Sequence, residues 1–188
     1  MQEQQVTIEG TTYPLPKPFL AIATMNPIET EGVYNLPEAQ LDRFMIKIQV
    51  GYLDRNNELL LLRQKESSEF KPVEKIMNGN EVLSLMKNAQ KVKASKAIID
   101  YIYEILSRTR NDERVLLGAS PRASEQLLFS SKSLAFLRGR AYVIPDDIKE
   151  LASCALCHRI IIKAEHEIDG FKSEELITEI LDDLEVPK

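Results

Sequence analysis

Leu36-Pro37-Glu38-Ala39-Gln40-Leu41-Asp42-Arg43-Phe44 is the stretch on which the reading of this chain turns. Pro37 has a φ already close to the helical value and suits a first helical position, so a short helix is expected through about Phe44. Upstream, the apolar run Phe19-Leu20-Ala21-Ile22-Ala23-Thr24 is short enough for a strand buried on both faces and ends in Met25-Asn26-Pro27. Pro27, Gly32 and turn-forming polar residues make 25 to 36 a loop. Downstream, Met45 to Val50 alternates apolar and polar residues and reads as a second strand. Much later, Gly118-Ala119-Ser120-Pro121-Arg122-Ala123 combines a helix-start signal with an arginine in the first turn. The order is therefore a strand tipped by a carboxamide, a short helix followed by an arginine, and a second arginine at a helix start.

The flanking sequence supplies the rest of the architecture. Val6-Thr7-Ile8, Glu9-Gly10 and Thr11-Thr12-Tyr13 read as a β-hairpin, and Pro14, Pro16 and Pro18 then forbid helix and ladder bonding. Asp54 is a suitable cap for a helix through about Lys65. Residues 66–75 read as a linker, and everything beyond is helical in pattern. A helix capped by Asn80 is expected to about Lys91. Ile98, Tyr101, Ile102, Ile105 and Leu106 then mark one buried helix face. Further helices are expected over 121–138, stopped by Gly139, from Pro145 to about Lys163, and after Ser173 as cap, with Leu176, Ile177, Ile180, Leu181 and Leu184 as its stripe. The fold class is α/β: a strand-containing part, residues 1–65, then a linker and an all-α bundle, residues 76–188.

Composition narrows the function. A chain of 188 residues with 44% hydrophobic and 28% charged residues can build a core under a water-compatible surface. The net charge is −5, from 24 basic against 29 acidic residues. That disfavours a general nucleic-acid role, because backbone affinity comes from neutralising phosphates. No stretch approaches the ~20 apolar residues of a bilayer span. The N-terminus lacks the basic flank and apolar core of a signal peptide. Two cysteines give no disulfide framework, and a cytoplasmic location is expected.

The three polar residues suit one chemistry. Phosphoryl transfer from a nucleoside triphosphate needs positioning and charge stabilisation around the γ-phosphate more than covalent help. A carboxamide at a strand end, Asn26, can hydrogen-bond both an attacking water and a phosphate oxygen. Arg43, rooted between a helix and a strand, can project toward a neighbouring subunit's nucleotide. Arg122 sits where the helix dipole disfavours a cation unless an anion is near. Singly, each has an ordinary alternative: a loop asparagine, an ion pair of Arg43 with Asp42 or Glu38, an exposed helical arginine. Their order and spacing together argue for the nucleotide role.

At this point the sequence resembles a known family. Gln4 to Pro16 resembles the hairpin before the sensor strand of the MoxR family of AAA+ ATPases, and Ile22 to Glu29 its sensor 1 segment. Leu36 to Phe44 is similar to the arginine-finger segment of that family, and Gly118 to Ala123 to its sensor 2 segment. Gly139 to Asp147 and His158-Arg159-Ile160 resemble its lid. The resemblance implies sensor 1 at Asn26, the arginine finger at Arg43 and sensor 2 at Arg122. It further implies ATP and Mg²⁺ as cofactors and a homo-oligomer, a hexameric ring. Chaperone-like remodelling of client proteins, with a von Willebrand factor A-type partner, is implied as well. A phosphate-binding loop of the form G-x-x-x-x-G-K-[ST] and the acidic strand end that holds Mg²⁺ are absent from this sequence. Family members carry both upstream, so the chain is expected to begin inside the ATPase domain. In that topology the phosphate-loop strand lies between the two strands read here, whose ladder groups then need other partners.

Other readings suit parts of the sequence. A magnesium-chelatase-like ATPase subunit is the near alternative. A helical interaction module without nucleotide is the distant one, and a nucleic-acid-binding helical domain is disfavoured by charge. Cys154-Ala155-Leu156-Cys157-His158 matches the C-x-x-C-H haem-attachment pattern. Apolar neighbours Leu151, Ala152, Ile160 and Ile161 favour core packing instead, and His166 reads as a loop residue. No metal site is expected from these cysteines, which lack a second pair. The 188-residue chain alone is expected neither to bind nor to hydrolyse ATP measurably. Turnover by the purified chain in a phosphate-release assay would contradict this.

Overall fold

The computed structural model describes residues 5–25, 37–67 and 72–187. An antiparallel hairpin joins β1 (Gln5–Ile8) to β2 (Thr11–Pro14), with Val6 opposite Tyr13 and Thr7 opposite Thr12. The two-residue turn needs positive φ at both positions, and Glu9 (φ 50°) and Gly10 (φ 81°) supply it. The segments 19–24 and 45–50 form no ladder among the described residues, in contrast to the two strands expected from the sequence. Their apolar side chains lie exposed, Leu20 and Ile22 by about four-fifths and Val50 by 90%. Isolated strands cannot satisfy their own backbone groups, which is why two apolar runs without a neighbour stay unpaired.

The short helix α1 (Glu38–Leu41) starts from Pro37 and is closed by turns from Gln40 to Arg43 and from Leu41 to Phe44. Helix α2 (Arg55–Glu66) is capped by Asp54, whose carboxylate accepts from the amides of Asn56 and Asn57, as its sequence predicts. It buries no residue.

The core lies further on, and all its buried residues fall between Ala89 and Ile180. Helix α3 (Gly79–Gln90) is capped by Asn78 and not by Asn80. Asn78 has Glu81 three residues on and closes a reciprocal capping box, whereas Asn80 would face Leu83 there. Helix α4 (Lys96–Asn111) buries Ile98, Tyr101, Ile102, Ile105 and Leu106, the expected stripe, together with Thr109. Helix α5 (Pro121–Leu137) begins at the Ser120 cap and ends before Gly139, which takes the left-handed φ of 72°.

Helix α6 (Pro145–Leu156) is shorter than the expected span to Lys163. It passes through a 3₁₀ turn at Cys157–Arg159 into β4 (Ile161–Ile162), which pairs antiparallel with β3 (Val115–Leu117). The β-branched run Ile160-Ile161-Ile162 takes a strand where a continuous helix was read. His166 sits in a further short helix, α7 (Ala164–Ile168), and not in a loop. Helix α8 (Ser173–Asp183) has Lys172 at its cap position, while Ser173 is its first residue and its hydroxyl donates to Cys157 O at 3.1 Å. Helices α4, α5, α6 and α8 enclose Leu127, Ile148, Leu156, Leu176 and Ile177, all essentially inaccessible. Each such side chain contributes about 1.5–3 kcal/mol of burial.

Two charged groups, Asp147 and Arg159, share that interior. Asp147, fully buried near the start of α6, accepts from Ile144 N at 3.0 Å and is clamped by Arg140 and, at 3.5 Å, by Arg138. Burial pushes the Asp147 carboxyl up, but its bonds to Arg140 and Ile144 N outweigh that and hold it below the usual carboxylate range. The consequence has a definite sign. A depressed folded pKa stabilises above the unfolded value near ~3.9 and loses that effect as pH falls through the folded value. Asp147→Asn is therefore expected to lower stability by roughly 1–3 kcal/mol at neutral pH. In urea unfolding the gap to wild type should shrink below about pH 4; a pH-independent gap would contradict the assignment.

Candidate functional site

The three residues singled out by sequence do not fare alike. Asn26 lies outside the described residues. Arg43 is exposed, and its guanidinium makes no ion pair or hydrogen bond among the described residues. Arg122, half-buried in the first turn of α5, points Nη1 at Asp42 Oδ2 across 3.4 Å. The ion pair considered between Arg43 and Asp42 is thus not made, because the lid takes the Asp42 carboxylate.

Arg122 is placed by a tightly built loop. Ser120 caps α5 through Ala123 N. The preceding residues lie flat on the end of α4. Ala119 N donates to Thr109 Oγ1 at 3.1 Å, that hydroxyl donates to Leu106 O at 2.7 Å, and Arg110 Nε donates to Ala119 O at 2.7 Å. Gly118 is what permits this approach. A Cβ there would stand 2.7 Å from Arg110 Cα and 2.8 Å from Thr109 O, both backbone atoms that cannot swing away.

A second junction ties the 37–47 segment to the end of α6. Arg159, 1% exposed at its side chain, reaches Asp42 O at 3.1 Å, Ala155 O at 2.6 Å, and Phe44 O and Gln126 Oε1 at close range. Its Nε lies 3.1 Å from Asp42 Oδ1, an ionic contact out of line for a hydrogen bond. Ser120 Oγ donates to the same carboxylate at 2.9 Å. Burial works against the charge on Arg159, and the Asp42 carboxylate opposes that loss. His158 Nε2 is 3.1 Å from Phe44 O; a carbonyl only accepts, so Nε2 carries the proton. Burial lowers the His158 pKa and favours the neutral ring. Lys47 N donates to Cys154 O at 2.8 Å and completes the seam.

The C-x-x-C-H run is accounted for by the same seam. Cys157 is buried beside Ser153 with its thiol pushed up by burial, and His158 is occupied by Phe44. Sequence reasoning noted Arg159 within a lid motif but gave it no role. The available signal was a charged residue inside an apolar helix face, which must find a partner when buried.

Comparison with known proteins fits this geometry. Residues 1–46 match the family model described as "ATPase family associated with various cellular activities (AAA)", and residues 107–180 match the one described as "AAA lid domain". Chaperone MoxR1 of Mycobacterium tuberculosis is 38% identical over 197 aligned residues, covering all of this chain and 52% of MoxR1. The chain belongs to the MoxR family of AAA+ ATPases. Protein YeaC of Bacillus subtilis, itself uncharacterized, is 41% identical over 188 residues, covering the whole chain and 59% of YeaC. The crystal structure of a protein proposed as an ATPase, from Cytophaga hutchinsonii, superimposes with a TM-score of 0.92 at 43% identity, covering this chain fully and 60% of that one. The chain thus spans between 52% and 60% of the length of these relatives. Arg43 falls in the first matched region, and Arg122 and Arg159 fall in the lid match.

The Gly118 contact is open to a direct check. Gly118→Ala should lower stability by about 1–3 kcal/mol through overpacking against backbone. Gly51→Ala, where a Cβ meets nothing within 4 Å, should change it by less than about 0.5 kcal/mol. Equal urea midpoints for the two variants would refute the close-approach account.

Proposed function

We propose that this chain supplies the sensing and lid part of an ATP-hydrolysing, chaperone-like MoxR assembly, in which Arg43 acts on the nucleotide of the adjacent subunit. The observation that carries the reading is the unequal treatment of two neighbours. Asp42 is engaged by the lid on every side described above, while Arg43, one residue on, is left exposed without an anionic partner among the described residues. A guanidinium with a fixed root and a free end is what a charge donated in trans requires, since it pays little reorganisation when it meets phosphate. Asn26 and Arg122 serve as sensors 1 and 2 within the same subunit, and Arg122 couples the bundle of residues 76–188 to the nucleotide state.

The groups on this chain fit part of a triphosphate site. Two arginines and a carboxamide can neutralise and orient phosphate oxygens. Among the described residues no group of three or more His, Cys, Asp or Glu side chains could hold a metal ion. In this proposal the phosphate-binding loop, whose sequence pattern this chain lacks, and the Mg²⁺ ligands come from a further segment of the assembly. When bound, ATP supplies the phosphoryl group that is transferred to water. The exposed apolar rows at 19–25 and 45–53 are the surface against which that segment packs. Chaperone action is favoured over metal chelation because MoxR1 bears that name. A ring, client proteins and a von Willebrand factor A-type partner complete the proposal.

In an assembly that carries the phosphate-binding loop, Arg43→Ala should lower ATP turnover by about 10³-fold or more. Size-exclusion chromatography should show the oligomer unchanged. Turnover within a few fold of wild type would end the trans-acting assignment.

A further inference from the structure

Asp42 is attached to the lid by the Ser120 hydroxyl and by two arginines held in unequal ways. Arg159 is enclosed, and the acceptors around its guanidinium include the main-chain carbonyls of both Asp42 and Phe44, which bracket Arg43. It cannot withdraw without stranding a buried charge. Arg122 is about one-third exposed at its side chain, and it meets Asp42 across the longer distance of 3.4 Å. A half-exposed pair of that kind is weak and easily exchanged for another anion.

We propose that Asp42 is a positioning residue that makes the lid and the root of Arg43 move as one body. Arg159 is the permanent pin of that joint. Arg122 uses the Asp42 carboxylate as a resting anion, which a phosphate displaces. Movement of α5 toward a phosphate would then release the contacts that Ser120 and Arg122 make with Asp42 and keep that of Arg159. The lid's displacement reaches Arg43 through one residue of backbone, with no flexible segment between. What Arg122 and Arg43 touch rests on the function proposed above; the joint itself rests on the contacts of Asp42 and Arg159 alone.

The joint can be tested on the 188-residue chain without nucleotide, by amide hydrogen exchange. Asp42→Ala and Asp42→Asn should accelerate exchange across residues 40–47, including Lys47 N, by about tenfold or more for Asp42→Ala, the effect of losing charge-assisted bonds. Exchange in α4, α5, α6 and α8 should stay as in wild type and serves as the internal control for folding. Arg122→Ala should accelerate the same amides by no more than about fivefold, the range of a half-exposed pair. Unchanged protection in Asp42→Ala overturns the joint, and equal release in Arg122→Ala overturns the division between pin and exchangeable contact. In the ATP-hydrolysing assembly, Asp42→Asn should lower kcat about 10- to 100-fold, the effect of a misplaced catalytic group. KM for ATP should stay within about twofold, because the loss falls on the transition state. A raised KM at constant kcat would overturn the positioning role. If Arg43→Ala keeps full turnover, the trans-acting assignment fails, while the exchange experiment still decides whether Asp42 locks the segment.

Discussion

A buried guanidinium organises the junction of this molecule. Arg159 sits at the end of α6 inside the helical core, where an uncompensated charge would be very costly. It is compensated by the Asp42 carboxylate and by main-chain oxygens of Asp42 and Phe44, more than a hundred residues earlier in the chain. The need of one side chain for acceptors thus fixes where the 37–47 segment runs. Without it, that segment would have Lys47 N on Cys154 O and His158 on Phe44 O as its remaining hydrogen bonds to the end of α6. A hydrophobic core alone would not specify this seam, because hydrophobic contact is non-directional.

The remaining polar groups of the lid follow the same logic at smaller scale. Asp147 gathers Arg138, Arg140 and Ile144 N where α5 turns into α6. Arg114 holds Asp112 at 2.9 Å and Glu179 at 2.7 Å while stacking over Phe171, which fixes α8 to the end of α4. The Arg114 bonds lower the Asp112 carboxyl well into the charged range. Each network sits at a place where the chain changes direction, where helix packing is least able to dictate geometry.

Much of this was legible in the sequence, and the reasons for the gaps are physical. The α4 stripe and the Ser120-Pro121 start were readable because periodicity and capping are local. The Asp54 cap and the Glu9-Gly10 turn were readable for the same reason. The end of α6 lies earlier than its pattern suggests because the apolar run Ile160-Ile161-Ile162 continues past Leu156; only pairing with β3, a tertiary event, makes Ile161–Ile162 a strand. The α3 cap falls on Asn78 and not on Asn80 because Asn78 has an acid, Glu81, three residues on. The two apolar runs at 19–24 and 45–50 carry a strand signal in composition, but a strand requires a neighbour, which no property of the run itself provides. For the site, motif order singles out Arg43 and Arg122. The contacts of Asp42 with Arg122 and Arg159 were not legible, since they join residues 80 and 117 positions apart.

From Gln5 to Ser67, none of the residues described is buried, and the first buried residue among those described is Ala89. The enthalpy and heat capacity of melting scale with the number of residues that leave a packed state. Calorimetry on this chain would therefore register a protein the size of its helical bundle, and a unit mass computed from all 188 residues would make it look anomalously weak. Joining the first third to a segment that covers its apolar rows would restore the missing heat.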